Sequence, residues 1–553
     1  MLRQTPIAAI PAETVRVAQA AFPDGHRYLR LADELGTLFT DELFVAFYPT
    51  HGQPAFAPWR LALVTMLQFA EGLSDRQAAH AVRSRIDWKY VLRLELTDSG
   101  FDASILSEFR TRLVAGAADY LLFDHLLAWC RERQLVIAGG RQRTDSTHIL
   151  AAVRALNRIE VVGETLRHAL NRLAVVAPAW LQAITPPEWV ERYARRAEDD
   201  RLPTKQAARD VLAMTVGRDG HALLSAIDAP TAPAWLREIP AVDILRRVWI
   251  QNYQWNGDHL AWRDSENIPP AAQFISSPYD TEAHYARKHT TQWVGYKIHI
   301  TEACDDDRPH LITHVTTTSG PVADGAVTPT IHAALQERQI LPSTHIVDTG
   351  FLDAELMVDT LDDYGVDLFG PTRRDYHWQA QEDAGFAVQQ FQIDWDAQQA
   401  ICPVGKTSIS WTPAIDKRSN EVIKIKFSAK DCRHCPKLLQ CVRSTKRYPR
   451  RTLTIRPKRQ FEALQAARQR ESTVAFRREY HRRAGIEGTI SRGTRTTRLR
   501  QTRYIGLARV QLGHILTGLG INALRLGEWW LEQKRPKTRV TPFMRVMAAA
   551  PTA

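Results

Sequence analysis

The chain has 553 residues, 44% hydrophobic and 24% charged, with 72 Lys+Arg against 61 Asp+Glu. That length exceeds what one hydrophobic core organises, so two to four domains of a globular protein are expected. No run of 18 apolar residues exists, the six cysteines are sparse, and Pro, Glu and Arg break the N-terminus; this argues against a membrane span, a disulfide scaffold and a signal peptide, and for the cytoplasm.

Residues 1–135 read as an N-terminal helical domain. "LALVTMLQFAEGL" (61–73) has apolar residues at helical spacing and ends near Gly72. Ser74, with Gln77 three residues on, makes a capping-box start for a second helix, "DRQAAHAVRSRIDWKYVLRL". That helix carries Arg76, Arg83, Arg85 and Lys89 after a short Gly-containing turn, which suggests a helix-turn-helix DNA reader. Any helical bundle supplies such a pair too.

"QLVIAGGRQRTDSTHI" (134–149) combines a short apolar run, a Gly pair and a polar run around Asp145, as a strand with its turn does. Residues 153–289 return to helical patterning and form an all-helical insertion, whose tryptophans (180, 189, 235, 249, 255, 262) are expected to pack a core. From 290 the chain turns α/β. "TQWVGYKIHITEAC" alternates as a half-buried strand, "HLITHVTTT" is a second strand, and a helix spans about 324–338. "THIVDTGFL" (344–352) is a third strand, with Asp348 near its C-terminal end, where open α/β sheets gather functional groups. Another helix and strand lead to "VDLFGP". Residues 373–459 interrupt the pattern, 460–534 are mostly helical, and 535–553 form a short basic tail.

Charge is unevenly spread. Residues 441–510 hold 20 Lys+Arg against 4 Asp+Glu, a local +16 that exceeds the total of +11. Such clustering is the footprint of a phosphate-backbone binder, although a solvated basic face or an anionic membrane would also suit it. One of the four acids is Glu487. Tyr480 and Arg483, seven and four residues before it, fall on the same helical face and flank it. Asp145, Asp348 and Glu487 come from separate elements, and three such carboxylates can hold two divalent metals for phosphodiester chemistry. Each also has an ordinary reading, as a turn cap or a salt bridge. Lys297 and His299 alternate on one strand, face the same side, and join the candidates for DNA contact.

"YHRRAGIE" has the form Tyr-x2-Arg-x3-Glu and resembles the third-carboxylate signature of bacterial insertion-sequence transposases of the DDE type. "VDTGF" resembles the segment that carries their second Asp, and "TDST" the segment that carries the first. "SSPYDTEAHYARK", "WVGYKIHITEAC" and "TRYIGLARV" resemble the subgroup with an N-terminal helical domain and a Cys-containing insertion. The resemblance implies an RNase H-like mixed-sheet core over 136–152, 290–372 and 460–534, with Asp145, Asp348 and Glu487 as ligands of two Mg²⁺ or Mn²⁺ ions. It makes Tyr480 and Arg483 DNA-contacting partners. It implies double-stranded DNA, as terminal repeats and target, and a homodimer on paired ends in the nucleoid. The signature continues to a basic residue seven positions after Glu, where this chain has Thr494; Arg492 and Arg495 bracket it as substitutes.

Cys402, then Cys432-x2-Cys435 and Cys441, have the makings of a four-thiolate structural zinc site, with His434 able to replace Cys402. Four unlinked thiols are the plain alternative. No "GxxxxGK" phosphate loop appears, in keeping with chemistry that needs no ATP. Two other readings stay open: Tyr480 as a covalent nucleophile of a tyrosine recombinase, and a DNA-binding protein with an inactive core.

Overall fold

The structure is a computed structural model that describes residues 1–2, 6–197, 202–382, 385–444, 447–532 and 541–548. Its contacts divide the chain into two compact units: Met1–Val136 with Asp307–Ile312 and Arg492–Ala553, and Ile137–Asp306 with Thr313–Ser491. The expected core segment 460–534 is therefore shared, its last helices joining the N-terminal unit.

The first unit is helical. Helix Pro58–Glu71 is buried along most of its length and packs against Leu507–Trp530, which is more apolar still. The Ser74 capping box forms, with the Ser74 side chain 3.3 Å from the Gln77 N–H and the Gln77 side chain 2.9 Å from the Ser74 N–H. The helix it opens is shorter than expected. It stops at Ser84, and a second piece, Ile86–Leu92, resumes beyond an extended Arg85. The cause is local: the Arg85 guanidinium is held at 2.5 Å by both Glu71 and Asp87. Lys89 turns inward and donates to the carbonyls of Glu95 and Asp98. Two of the four cations expected on a DNA-reading face are thus engaged inside the fold, while Arg76 and Arg83 stay exposed. Of the tail, 535–540 and 549–553 lie outside the described residues, and Pro542–Ala548 is helical.

The second unit is built on a six-stranded mixed sheet: β1 (Arg141–Leu150), β2 (His284–Lys288), β3 (Thr291–Ala303), β4 (Ile312–Ser319), β5 (Thr344–Ile346) and β6 (Asp367–Phe369). The order is β2-β3-β1-β5-β6, with β4 also paired to β3. β3 runs antiparallel to β1, whereas β5 is parallel to β1 and β6 to β5. Helices Thr328–Glu337 and Ala354–Tyr364 fill the crossovers into β5 and β6.

β1 is not the apolar run that precedes it. "LVIAGG" is turn, and the strand is the polar "RQRTDSTHIL". Gln142, Arg143, Thr144, Asp145 and Thr147 are all buried in it. Burying polar groups is tolerable only where each is bonded. Gln142 donates to the Ile340 carbonyl at 2.7 Å, and the Thr144 hydroxyl lies 2.6 Å from both Thr301 Oγ1 and His345 Nε2.

The 153–289 insertion has its own core, around Val162, Leu166, Leu223, Leu245 and Trp249. Trp189 and Trp249 are buried in it and Trp180 and Trp262 pack on it, as expected, but Trp235 and Trp255 are exposed. Nor is it all helical. Tyr253–Asn256 and His259–Trp262 form a hairpin, and β2 lies inside the same range. The two-residue loop Gly257-Asp258, with Gly257 first and at φ 60°, is the turn chemistry that makes the hairpin. The Cys-containing insertion is a small β unit, Ser410–Ile415, Glu421–Lys426 and Thr452–Ile455, closed over Phe391, Ile425, Phe427 and Leu453. Among the described residues no helix is long and apolar enough to cross a membrane.

Candidate active site

Parallel pairing sets the first two carboxylates side by side. Arg143 on β1 is in register with Ile346 on β5, so two residues further along, Asp145 runs beside Asp348, just past the end of β5. Asp348 is fixed by the turn that follows, its Oδ1 accepting the Gly350 N–H at 2.8 Å. Glu487 arrives from a distant element, in the first turn of helix Ala484–Thr497. That helix follows Val474–Tyr480 after one 3₁₀ turn, His481–Arg483.

Arg483 is the centre of the arrangement. Its Nη2 lies 2.8 Å from Asp145 Oδ2 and 3.9 Å from Asp348 Oδ2, and its Nη1 lies 3.2 Å from Glu487 Oε1. Its side chain is only 14% exposed, while Glu487 reaches solvent at 65%. Burial pushes the Asp145 carboxyl above its ordinary range, although Arg483 and the Ser146 N–H pull the other way. The Tyr480 ring, partly buried, closes a stack with Phe476 and Phe369 at centroid spacings of 5.6 and 4.7 Å. Burial, more than any neighbour, raises its hydroxyl.

The helix that brings Glu487 is clamped to the sheet by residues the sequence reading passed over. Arg143 Nε donates to Glu302 Oε1 at 2.7 Å, and its Nη1 donates to the Arg482 carbonyl. The other Glu302 oxygen accepts the Thr489 hydroxyl at 2.6 Å. Both charges are almost wholly buried. Gly485 makes room for them, since a Cβ there would lie 2.3 Å from the Arg143 guanidinium. The signal open to sequence reading was on one side only: Glu302 is an acid at an inward position of the apolar-patterned strand β3.

Other expected contacts fall elsewhere. In the β1–β3 register Asp145 opposes Ile300, so Lys297 and His299 occupy the opposite face. His299 is fully buried, hydrogen-bonded at 3.0 Å to Thr318 Oγ1, and burial pushes its ring down to about 4. It cannot reach DNA. Lys297 binds Asp324 at 3.1 Å and the Val322 carbonyl at 2.6 Å. Burial raises the Asp324 carboxyl, but Lys297 and Lys288 outweigh it and hold the group below its ordinary range. Arg492 pairs with Glu528 at 2.7 Å, and it and Arg495 belong to the other compact unit.

Cys402, Cys432, Cys435 and Cys441 line one cavity of about 30 Å³, and Cys402 Sγ accepts the Lys406 N–H at 3.3 Å. Burial raises the Cys432 thiol and pushes Cys441 up to about 11. His434 is exposed, its Nδ1 2.9 Å from the Lys430 carbonyl. Among the described residues no three His, Cys, Asp or Glu side chains are already gathered as a metal cluster, here or around Arg483.

Compared with known families, residues 401–527 match the one described as "Transposase DDE domain", and residues 16–112 the one described as "Transposase domain (DUF772)". The first match contains Glu487 and all four clustered cysteines but begins after Asp145 and Asp348. No curated protein matches the chain.

Proposed function

We propose, from the insertion-sequence DDE transposase that both family matches support, that this chain binds the terminal repeats of its element, cuts DNA there and joins the freed 3′ ends to a target. The observation that carries the reading is the convergence of Asp145, Asp348 and Glu487 on one guanidinium. The strand order, with β1, β5 and β6 parallel and β3 antiparallel, supports an RNase H-like core.

The three acids suit a hard divalent cation: the donors are all carboxylate oxygens, and Asp145 carries a burial penalty that a bound cation would relieve. Asp145, Asp348 and Glu487 would hold Mg²⁺ or Mn²⁺, which activates water or a 3′-hydroxyl and stabilises the leaving oxygen. The chain's own groups do the rest. Arg143 and Glu302 hold the Glu487 helix on the sheet, Tyr480 packs beside the acids, and the basic stretch 441–510 neutralises phosphates. Double-stranded DNA is the partner, engaged by a homodimer on paired ends. Cys402, Cys432, Cys435 and Cys441 form a structural zinc site, a reading supported by the single cavity they share and by the N–H···S bond to Cys402.

The test is cleavage and strand joining on the element's own ends with Mg²⁺ or Mn²⁺, comparing wild type with Asp145→Asn, Asp348→Asn and Glu487→Gln. Loss of cutting in all three, with DNA binding retained, is expected. Retained cutting in Glu487→Gln would remove Glu487 from the site, and binding without cutting by wild type would leave a DNA-binding protein.

A further inference from the structure

Asp145, Asp348 and Glu487 share one cation, Arg483. Three acids bring a formal charge of −3 and one guanidinium returns +1. Its two Nη atoms occupy the space between the oxygens that the proposed reading assigns to a divalent ion. Like charges held a few ångströms apart in a half-buried site repel strongly. The guanidinium and a divalent cation therefore exclude one another.

Arg483 is placed to leave. It lies on the single 3₁₀ turn between two helices, where helical geometry is least constrained. Its Nε is buried and has no hydrogen-bond partner among the described residues, so the head group is held through its Nη atoms, by the three carboxylates. Arg143, by contrast, is fixed through Nε, both Nη atoms and a backbone carbonyl. Beyond the trio the exposed Glu487 marks the way to solvent.

We propose that Arg483 is an exchangeable counter-ion. It neutralises the three carboxylates until a divalent cation displaces it, and the displaced guanidinium then takes a DNA phosphate. Cation and DNA would each favour the conformer that the other needs, so their binding is mutually reinforcing. This rests on the metal-dependent reading above and adds a coupling to it: the guanidinium holds the site electrostatically closed while neither ligand is present.

The experiment measures Mn²⁺ binding to the full chain by electron paramagnetic resonance, with and without an end duplex, for wild type, Arg483→Gln, Arg483→Lys and Asp348→Asn. Without DNA, Arg483→Gln should bind Mn²⁺ more tightly than wild type, by about 5- to 150-fold, the usual span of a coupling between sites. The duplex should raise the wild-type affinity and leave that of Arg483→Gln nearly unchanged. Arg483→Lys, whose single ammonium cannot span three acids, should shift the same way by less, and serves if the glutamine variant does not fold. Mn²⁺ affinity equal to or below wild type in whichever variant folds overturns the counter-ion. Mn²⁺ binding that ignores Asp348→Asn overturns instead the metal site on which it stands.

Discussion

Asp145 sits where its charge is least welcome. The net push on its carboxyl is upward, because burial outweighs the pull of Arg483 and the Ser146 amide. A group whose pKa rises on folding stabilises the fold while protonated and loses that contribution as pH climbs through the folded pKa. Asp145→Asn should therefore melt at a higher temperature than wild type at pH 7, by a few degrees for each kcal/mol recovered. Calorimetry should find the gap closing as pH falls through the raised pKa of the folded carboxyl, where wild-type Asp145 becomes neutral too. A wild-type chain that melts higher than the variant at pH 7 would mean that Arg483 more than offsets the burial. At this scale the three acids that meet Arg483 each lie in a short motif that can be read locally. The sequence is a poor guide to their supports: Arg143 and Glu302 are 159 residues apart, and nothing local to either names its partner.

Among the elements, the helix that carries Glu487 has two glycines whose roles differ. Either one lowers intrinsic helix stability by about 1 kcal/mol relative to alanine. At Gly488 a Cβ meets nothing within 4 Å, so Gly488→Ala should recover most of that amount. At Gly485 the new carbon would strike an Arg143 side chain that cannot yield, since Glu302 and the Arg482 carbonyl both grip it. Gly485→Ala should cost about 1–3 kcal/mol, the usual penalty for overpacking, despite the same gain in helix propensity. Denaturant titration of the two single variants separates the cases, and equal effects would mean that the clamp is loose. Element legibility follows the same logic of what burial hides. Apolar alternation exposes β3, and turn chemistry reveals the Ser74 cap. β1 escapes because its buried side chains are polar and find their partners only after folding, and the 253–262 hairpin escapes inside a helical stretch despite its Gly-Asp turn.

For the molecule as a whole, shifts in pattern along the chain do not say which compact unit a segment joins. The helices after residue 491 read as part of the α/β core, yet Leu507–Trp530 is buried against the N-terminal helices. A helix that is apolar all round carries no mark of which neighbour will bury it. The Cys-containing insertion, which closes over its own small core, is the part whose integrity should depend on metal. Elemental analysis of the purified chain should find about one zinc per chain, and four-thiolate ligation predicts its loss in Cys432→Ser with Cys435→Ser. A zinc-free chain with four freely titrating thiols in this segment would leave it an ordinary β unit.

The bond from Arg143 to the Arg482 carbonyl joins residues 339 apart in the chain. During synthesis, a ribosome that has long since released β1 and β5 has yet to translate the helix that brings Glu487. Once Asp348 has been made, 139 further residues must be added before Glu487 joins it and Asp145, and Arg483, their shared cation, arrives only four residues earlier than Glu487. On the function proposed above, a chain that stops before residue 487 would lack the third acid even when its sheet has begun to form, and would not cut DNA. Contacts this distant in sequence also close late and slowly, which makes the active arrangement among the last parts of the fold to form.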